Sequence, residues 1–273
     1  MKLDLKKLKL RKVNEVLQSI DPKKNNKNYT VVNPEGNHAI CAGLTDDIDV
    51  TIKGHVGYYC GGMNQNANIM VEGNVGTGVG ENMMSGKIHV KGNASQSAGA
   101  TAHGGFLVID GDASSRCGIS MKGIDIVVKG SVGHMSAFMA QSGNLVVCGN
   151  AGEALGDSLY ETDIYIKGNV KSLGADCIEK KMDKKKFKKI EKNLKKINLN
   201  KIKTKDFKIG IEHEKFLFSN INNRRIDYSK IKEMFSALLE FGWNPILEKE
   251  NIIGLKKGGK SITLEPGNQI ELS

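Results

Sequence analysis

The sequence predicts an all-β protein, a right-handed parallel β-helix of 19-residue coils, and three observations predict it. Glycine recurs at a fixed interval: Gly54, Gly73, Gly92, Gly111, Gly130, Gly149 and Gly168 are each 19 residues apart. An apolar pair precedes each glycine. Four residues before it stand Val50, Ile69, Ile88, Leu107, Ile126, Leu145 and Ile164; two before it stand Ile52, Val71, Val90, Ile109, Val128, Val147 and Ile166. A polar or turn-forming residue follows it: His55, Asn74, Asn93, Asp112, Ser131, Asn150 and Asn169.

A fixed period of this length is the mark of a stacked solenoid. Residues two apart on a strand share a face, so the apolar pairs stack into two aliphatic ladders along one interior wall. The glycine column marks a corner that needs positive φ or has no room for a Cβ. Asn, Asp and Ser suit the position beside it because they bond to nearby backbone, and stacked Asn can bond to the Asn above. Seven residues after each corner comes a second small column: Gly61, Gly80, Gly99, Gly118, Ala137, Gly156 and Ala175. The Leu-x-x-Leu-x-Leu pattern of leucine-rich repeats is absent. Six intervals at about 4.8 Å give a rod of roughly 29 Å.

The remaining elements follow in chain order. Residues 1–35 read as a helix and strand that cap the rod. The first 20 residues carry the stripe Leu10, Val13, Leu17 and Ile20, Asp21-Pro22 ends the helix, and Tyr29–Val32 is a strand. The β-helix spans residues 36–179, with His38–Leu44 as an irregular first coil. Residues 180–205 form a Lys-rich, partly helical linker in which Phe187, Ile190, Leu194 and Ile197 could cover the other end. From residue 206 the period is lost and an α+β segment runs to residue 273. There Phe207–Phe216 alternates like a strand, Asp227–Glu240 reads as a helix ended by Gly242, Trp243–Leu247 and Ile252–Lys256 are short strands, and Ser261–Ser273 is a hairpin.

Composition excludes several classes. The net charge of +10 suggests a nucleic-acid binder, but 13 lysines between Lys180 and Lys205 face only Asp183 and Glu191, which leaves the rest near neutral. Only Phe187 is interleaved there for base stacking, so no nucleic acid is expected. No apolar run is long enough for a membrane span, and the basic N-terminus lacks a signal core. The five cysteines make no zinc spacing. Cys60 and Cys117 share a column three coils apart, beyond disulfide reach, so a reduced, cytoplasmic protein is expected. The outward column Thr51, Met70, His89, Val108, Val127, Val146, Tyr165 has no Thr ladder for ice, and no acidic and Arg cluster suggests a polysaccharide lyase.

The repeat resembles the Gly-rich β-helix that forms the C-terminal domain of the glutamate synthase large subunit. The stretches that carry this are Gly54–Cys60, Gly80–Gly86, Ser95–Ala100, Arg116–Asp125, Gly133–Met139, Gly152–Asp157 and Ser172–Cys177. Residues 30–180 are most similar to the stand-alone version of that domain, a component of N-methylglutamate synthase (methylamine–glutamate N-methyltransferase). The β-helical scaffold component of formylmethanofuran dehydrogenase is a more distant likeness and an alternative scaffold role. The resemblance implies a structural subunit with neither nucleophile nor flavin. It braces a glutamine-amidotransferase-like partner and a partner holding FMN and an iron–sulfur cluster. Lys, not Cys, follows Met1, consistent with a chain that lacks the amidotransferase nucleophile.

A second resemblance covers the tail. Gly210–Phe216, Asn251–Lys256 and Ser261–Ser273 look like the start of a glutamate–cysteine ligase. That family is longer, and most of its ATP and substrate site would lie beyond Ser273. The tail therefore reads as a ligase fragment, with glutamate–amine or glutamate–cysteine ligation as the alternative function. Glu212 and Glu214 are two apart on a strand, and Glu265 and Glu271 flank a turn. Four converging carboxylates suit a hard cation, and in the ligase family the matching glutamates hold Mg²⁺.

Other candidates are weaker. Gly76-Thr-Gly78-Val-Gly80 looks like a phosphate loop, but the repeat register already explains Gly76 and Gly80. His55 falls in the turn column, His134 at the surface, and the histidines form no metal set. Arg116, Lys122 and Asp125 are charges in a small-residue stretch that either contact partners or face solvent.

Overall fold

The computed structural model describes residues 1–19, 27–175, 177–180, 188, 191, 208–211, 214–216, 226–258, 260–265 and 269–272. The chain forms two compact units, Met1–Ile211 and Glu212–Ser273.

The first unit is a parallel β-solenoid of about seven turns. Its main wall runs through β1 (Lys2–Asp4), β2 (Asn28–Val32), β3 (Asp49–Lys53), β4 (Asn68–Val71), β5 (Lys87–Val90), β6 (Phe106–Ile109), β7 (Lys122–Val128), β8 (Ser142–Val147) and β9 (Glu161–Ile166). From β3 to β9 equivalent residues pair 19 apart, as in Val50↔Ile69 and Ile69↔Ile88, except at the start of β7, where Lys122 pairs with Ser142 and the register shifts by one. The first coil is longer, with Tyr29 opposite Val50, because one residue is added at the turn around Pro34 and another between Leu44 and Ile48. Both aliphatic ladders point inward and are at most 3 % exposed. A second wall is a row of bridges through Val56, Val75, Ala94, Ala113, Val132, Ala151 and Val170.

The two small columns have different physical causes. At the corner, Gly73, Gly92 and Gly111 have no left-handed φ; they leave no room for a side chain. A Cβ on Gly73 would come 2.5 Å from the Gly54 carbonyl oxygen, and one on Gly92 would come 2.7 Å from that of Gly73. The second column does need positive φ, from Gly61 at 64° to Gly156 at 68°. It is the middle of three left-handed positions in each coil. The flanking ones, apart from Gly78, hold side chains in the coils from Tyr59 on, such as Tyr59 and Met63, Ser97 and Thr101, Arg116 and Ser120. Each coil thus turns through two overlapping β-turns with positive φ at their third residue. In one coil these are closed by Gly62 N–H on Tyr59 O at 3.2 Å and Asn64 N–H on Gly61 O at 3.3 Å.

The polar column forms a ladder, but through the backbone. His55 Nδ1 accepts from Asn74 N–H, Asn74 Oδ1 from Asn93 N–H, Asn93 Oδ1 from Asp112 N–H, and Asp112 Oδ1 from Ser131 N–H, at 2.7–2.9 Å. Ser131 and Asn150 continue it to Asn169. A side-chain acceptor therefore satisfies a corner N–H in the next coil, not the Asn side chain above it.

The N-terminal end departs from the expected helix over residues 1–20. The helix α1 is only Leu10–Gln18, and Lys2–Asp4 is instead a strand parallel to β2. Pairing wins there because β2 would otherwise present an open edge. Ile20 lies outside the described residues; Val13 and Leu17 are buried as expected. The polar edge of α1 seals the first coil. Asn14 Nδ2 donates to Ala39 O at 2.8 Å, Asn14 Oδ1 accepts from Cys41 N–H at 3.0 Å, and Gln18 Nε2 donates to Ala42 O at 2.8 Å.

At the other end β11 (Lys208–Ile211) lies antiparallel between β9 and β10 (Ile178–Lys180). The strand expected over Phe207–Phe216 is thus divided, and its first half belongs to the solenoid sheet. Phe187, Ile190, Leu194 and Ile197 lie outside the described residues. On the outer face, Val108, Val127, Val146 and Tyr165 are buried yet stand apart from the interior cluster.

The second unit is a five-stranded antiparallel sheet in the order β12 (Glu214–Phe216), β16 (Gln269–Leu272), β15 (Lys260–Glu265), β14 (Asn251–Lys257), β13 (Asn244–Glu248). Its helix α2 (Tyr228–Leu239) starts at Asp227, whose side chain accepts from Lys230 N–H. Ile231 and Phe235 pack with Leu255, Ile262 and Ile270 in one small core.

The fit between second-column glycine and ladder gives a direct test. A Cβ on Gly99, at φ 69°, would come 2.6 Å from Ile126 Cδ1. Ile126→Ala removes buried volume and should lower unfolding free energy by roughly 2–5 kcal/mol in denaturant melts. Gly99→Ala should also destabilise, and Ile126→Val, which deletes that Cδ1, should recover part of the loss. The double mutant should therefore cost less than the sum of the singles.

Candidate functional site

The interior walls are aliphatic, and the described chemistry lies on the outer face of the main sheet. Three outward columns run along it. The first begins Asp49, Asn68, Lys87; the second Thr51, Met70, His89; the third Lys53, Glu72, Lys91, Asp110, Lys129. Stacking places these side chains one coil apart, about 4.8 Å.

Asp110 is the electrostatic centre of this face. Its Oδ1 lies 2.9 Å from His89 Nε2 and 2.7 Å from Lys129 Nζ, and Lys91 Nζ is 3.5 Å from Oδ2. Burial opposes ionisation of Asp110, but the hydrogen bonds from Lys129 and His89 outweigh it and hold its pKa below the usual carboxylate value. Burial pushes the His89 pKa down, against the pull of Asp110, and Lys91 and Lys87 add to the fall. A neutral His89 therefore donates Nε2–H to an ionised Asp110.

Beside this cluster is a groove of about 150 Å³. Asp49, Asn68 and Lys87 line one side, and Thr51, Met70 and His89 the other. Asp49 Oδ1 accepts from Asn68 Nδ2 at 3.1 Å. A groove with an apolar centre, converging polar groups and a perturbed histidine is the arrangement expected of a binding site. None of these groups stands out as a site in the sequence. The signal is the register: His89 and Asp110 are 21 residues apart, one coil plus two, which places them diagonally on one face.

The sequence-derived candidates are dispersed. Gly76, Gly78 and Gly80 form no phosphate cradle. Their N–H groups are spent on Val56, Gln96 and Cys60 carbonyls of adjacent coils, at 2.9–3.1 Å. His55 starts the corner ladder and His134 is exposed. Arg116 is exposed at a left-handed turn position, Lys122 opens β7, and Asp125 is bonded by Asn144 on the outer face, so the three share no surface column. The cysteines are free, and burial pushes Cys60 and Cys117 up to about 12, so their thiols are inert. Among the described residues no group of His, Cys, Asp and Glu could hold a metal ion, and no helix is long and apolar enough to cross a membrane.

In the second unit the register sets Glu214 opposite Glu271, Glu271 opposite Thr263, and Glu265 opposite Gln269. Glu214, Glu271 and Glu265 thus occupy positions on one face of the sheet. Glu212 lies outside the described residues.

Comparison with known families matches residues 27–233 to the GXGXG motif. The chain belongs to the GXGXG motif family. The glutamate-synthase-type domain of this family thus spans the solenoid described above. Curated proteins give a shorter match. The chain is 51% identical over 73 residues to the chloroplastic glutamate–cysteine ligase of Medicago truncatula, covering 26% of this chain and 14% of that protein. It is 49% identical over 73 residues to the chloroplastic glutamate–cysteine ligase of Arabidopsis thaliana, again 26% and 14%. With the chloroplastic glutamate–cysteine ligase A of Oryza sativa subsp. japonica it shares 49% over 69 residues, 25% and 14%. The chain therefore spans about one seventh of the length of these relatives.

The His89–Asp110 pair of this GXGXG domain gives a pH signature. With its folded pKa below the ordinary 6.5, His89 takes up a proton more readily when unfolded. Its contribution to stability should be complete above that value and decline as pH falls through 6.5 toward the folded pKa. Melting temperature of the wild type should drop across this range more steeply than that of His89→Gln, measured by circular dichroism between pH 7.5 and 5.

Proposed function

We propose that this GXGXG protein is the structural solenoid component of a glutamate-synthase-type complex, most specifically one of the N-methylglutamate synthase type. It would brace a glutamine-amidotransferase-like subunit and a second partner that holds FMN and an iron–sulfur cluster. Methylamine and glutamate would be the substrates of the whole assembly. The observation that carries this reading is the family match across residues 27–233. The long motif stretches quoted above point to the finer assignment. The packed solenoid supports a bracing role, since adjacent coils hold each other through backbone bonds and offer a stiff rod.

The test is co-expression with candidate amidotransferase-like and FMN-barrel subunits. The chain should purify with both as one complex and, by itself, show no flavin absorbance, glutaminase or glutamate synthase activity. A yellow, FMN-containing preparation of the isolated chain would refute this reading.

The ligase match and the one-face register of Glu214, Glu265 and Glu271 favour a second reading of the tail. Together with Glu212 these carboxylates would hold Mg²⁺, which in such a site offsets phosphate charge. The segment would act as a unit that holds Mg²⁺ with its anionic ligand. ATP hydrolysis assayed with glutamate, Mg²⁺ and cysteine or methylamine should stay at background; turnover lost in Glu212→Gln would make the tail a working enzyme.

A further inference from the structure

The outer-face groove contains an unusual charge arrangement. Asp110, next to it, is saturated by His89, Lys91 and Lys129. Asp47, before β3, pairs with Lys27 at 2.7 Å. Asp49 and Lys87, on the groove wall itself, have no ion-pair partner among the described residues. Asp49 accepts only the neutral Asn68 amide, and Lys87 donates to no carboxylate. They belong to one column but are two coils apart, roughly 10 Å at the strand spacing. The coil that bears Asn68 and Met70 lies between them, and Asp49 is bonded to Asn68 and not to Lys87.

We infer that this groove binds a small zwitterion, an amino acid whose ammonium group meets Asp49 and whose carboxylate meets Lys87. Met70 would lie under the aliphatic carbons between them. The thioether is soft, unbranched and apolar, which suits a short methylene chain. Asn68 offers an amide to either charged end, and neutral His89 closes the far wall with its Nε2 committed to Asp110. The volume of about 150 Å³ is below the roughly 300–1,000 Å³ of pockets for drug-sized ligands, which limits the occupant to a molecule of amino-acid size. A dianion would leave Asp49 facing a like charge, and a diamine would do the same at Lys87. The arrangement therefore selects for one charge of each sign. This inference does not depend on the reading of the complex, because it concerns only side chains of β3, β4 and β5.

The experiment is isothermal titration calorimetry and saturation-transfer NMR on the full chain at low salt. The probes are β-alanine and γ-aminobutyrate, with succinate and 1,4-diaminobutane as like-charged controls. Saturable binding of at least one zwitterion is expected, with both controls weaker by about tenfold or more. Asp49→Asn and Lys87→Met should each weaken the zwitterion by about tenfold, the loss of one charge-assisted contact. Unchanged melting curves would show that these surface variants remain folded. Exchanging the charges, Asp49→Lys with Lys87→Asp, should restore binding in the reversed orientation. Absence of saturable zwitterion binding overturns the inference. So does binding that both single variants retain in full, or a site that takes succinate as well as the zwitterion.

Discussion

Each coil rests on the backbone of the coil before it, at a corner where only hydrogen fits between them. A side chain on Gly73 or Gly92 would strike the preceding coil's carbonyl, and the rise set there is the rise of every column on the rod. Given that contact, corner N–H groups meet side-chain acceptors one coil away, and ladder residues meet their equivalents at strand spacing. The aliphatic core follows from the corner as much as from hydrophobicity, since a coil that could not approach would leave its isoleucines facing a gap. Close packing then makes the second column restrictive too, because Gly99 faces the tip of Ile126.

The parts of the fold that repeat were legible because two periods coincide, 2 within a strand and 19 between strands. The ladders, the corner glycines and the β-turn glycines all fall out of that register. What was not legible depends on partners. Tyr59, Arg116 and Met135 take positive φ although nothing in their identity marks it; they are held there because their N–H groups reach carbonyls of the next coil. Lys2–Asp4 joins the sheet because an edge is present to pair with, not because of local propensity. The burial of Val108, Val127, Val146 and Tyr165 had a signal, the change from Thr51, Met70 and His89 to three valines and a tyrosine in one column. The candidate site was legible only in retrospect. Its His89–Asp110 pair is diagonal across two coils, and no column-by-column comparison aligns those positions.

The outer face shows how a repeat acquires individuality. Interior positions answer to their equivalents above and below, so they converge on a few aliphatic types. Outward positions answer to fewer neighbours and diverge. Along one column lysine alternates with acid, so that Asp110 lies between Lys91 and Lys129. The first outward column breaks the alternation with Asn68 and leaves charges unmatched. Recognition on a solenoid is therefore read from departures from the repeat.

A repeat has no inherent first member; each coil presents the same donors and acceptors as the last. Here the beginning is written in two amides one helical turn apart. Asn14 and Gln18 offer Ala39, Cys41 and Ala42 what another coil's peptide groups would offer. Side chains thus impersonate backbone at the turn that opens the stack. The number of coils between this seal and the antiparallel strand at the far end is then a free parameter. Whole 19-residue units can be inserted or deleted in the middle while the boundary conditions stay fixed, so rod length, and with it the spacing of whatever the rod holds, can change without redesigning either end.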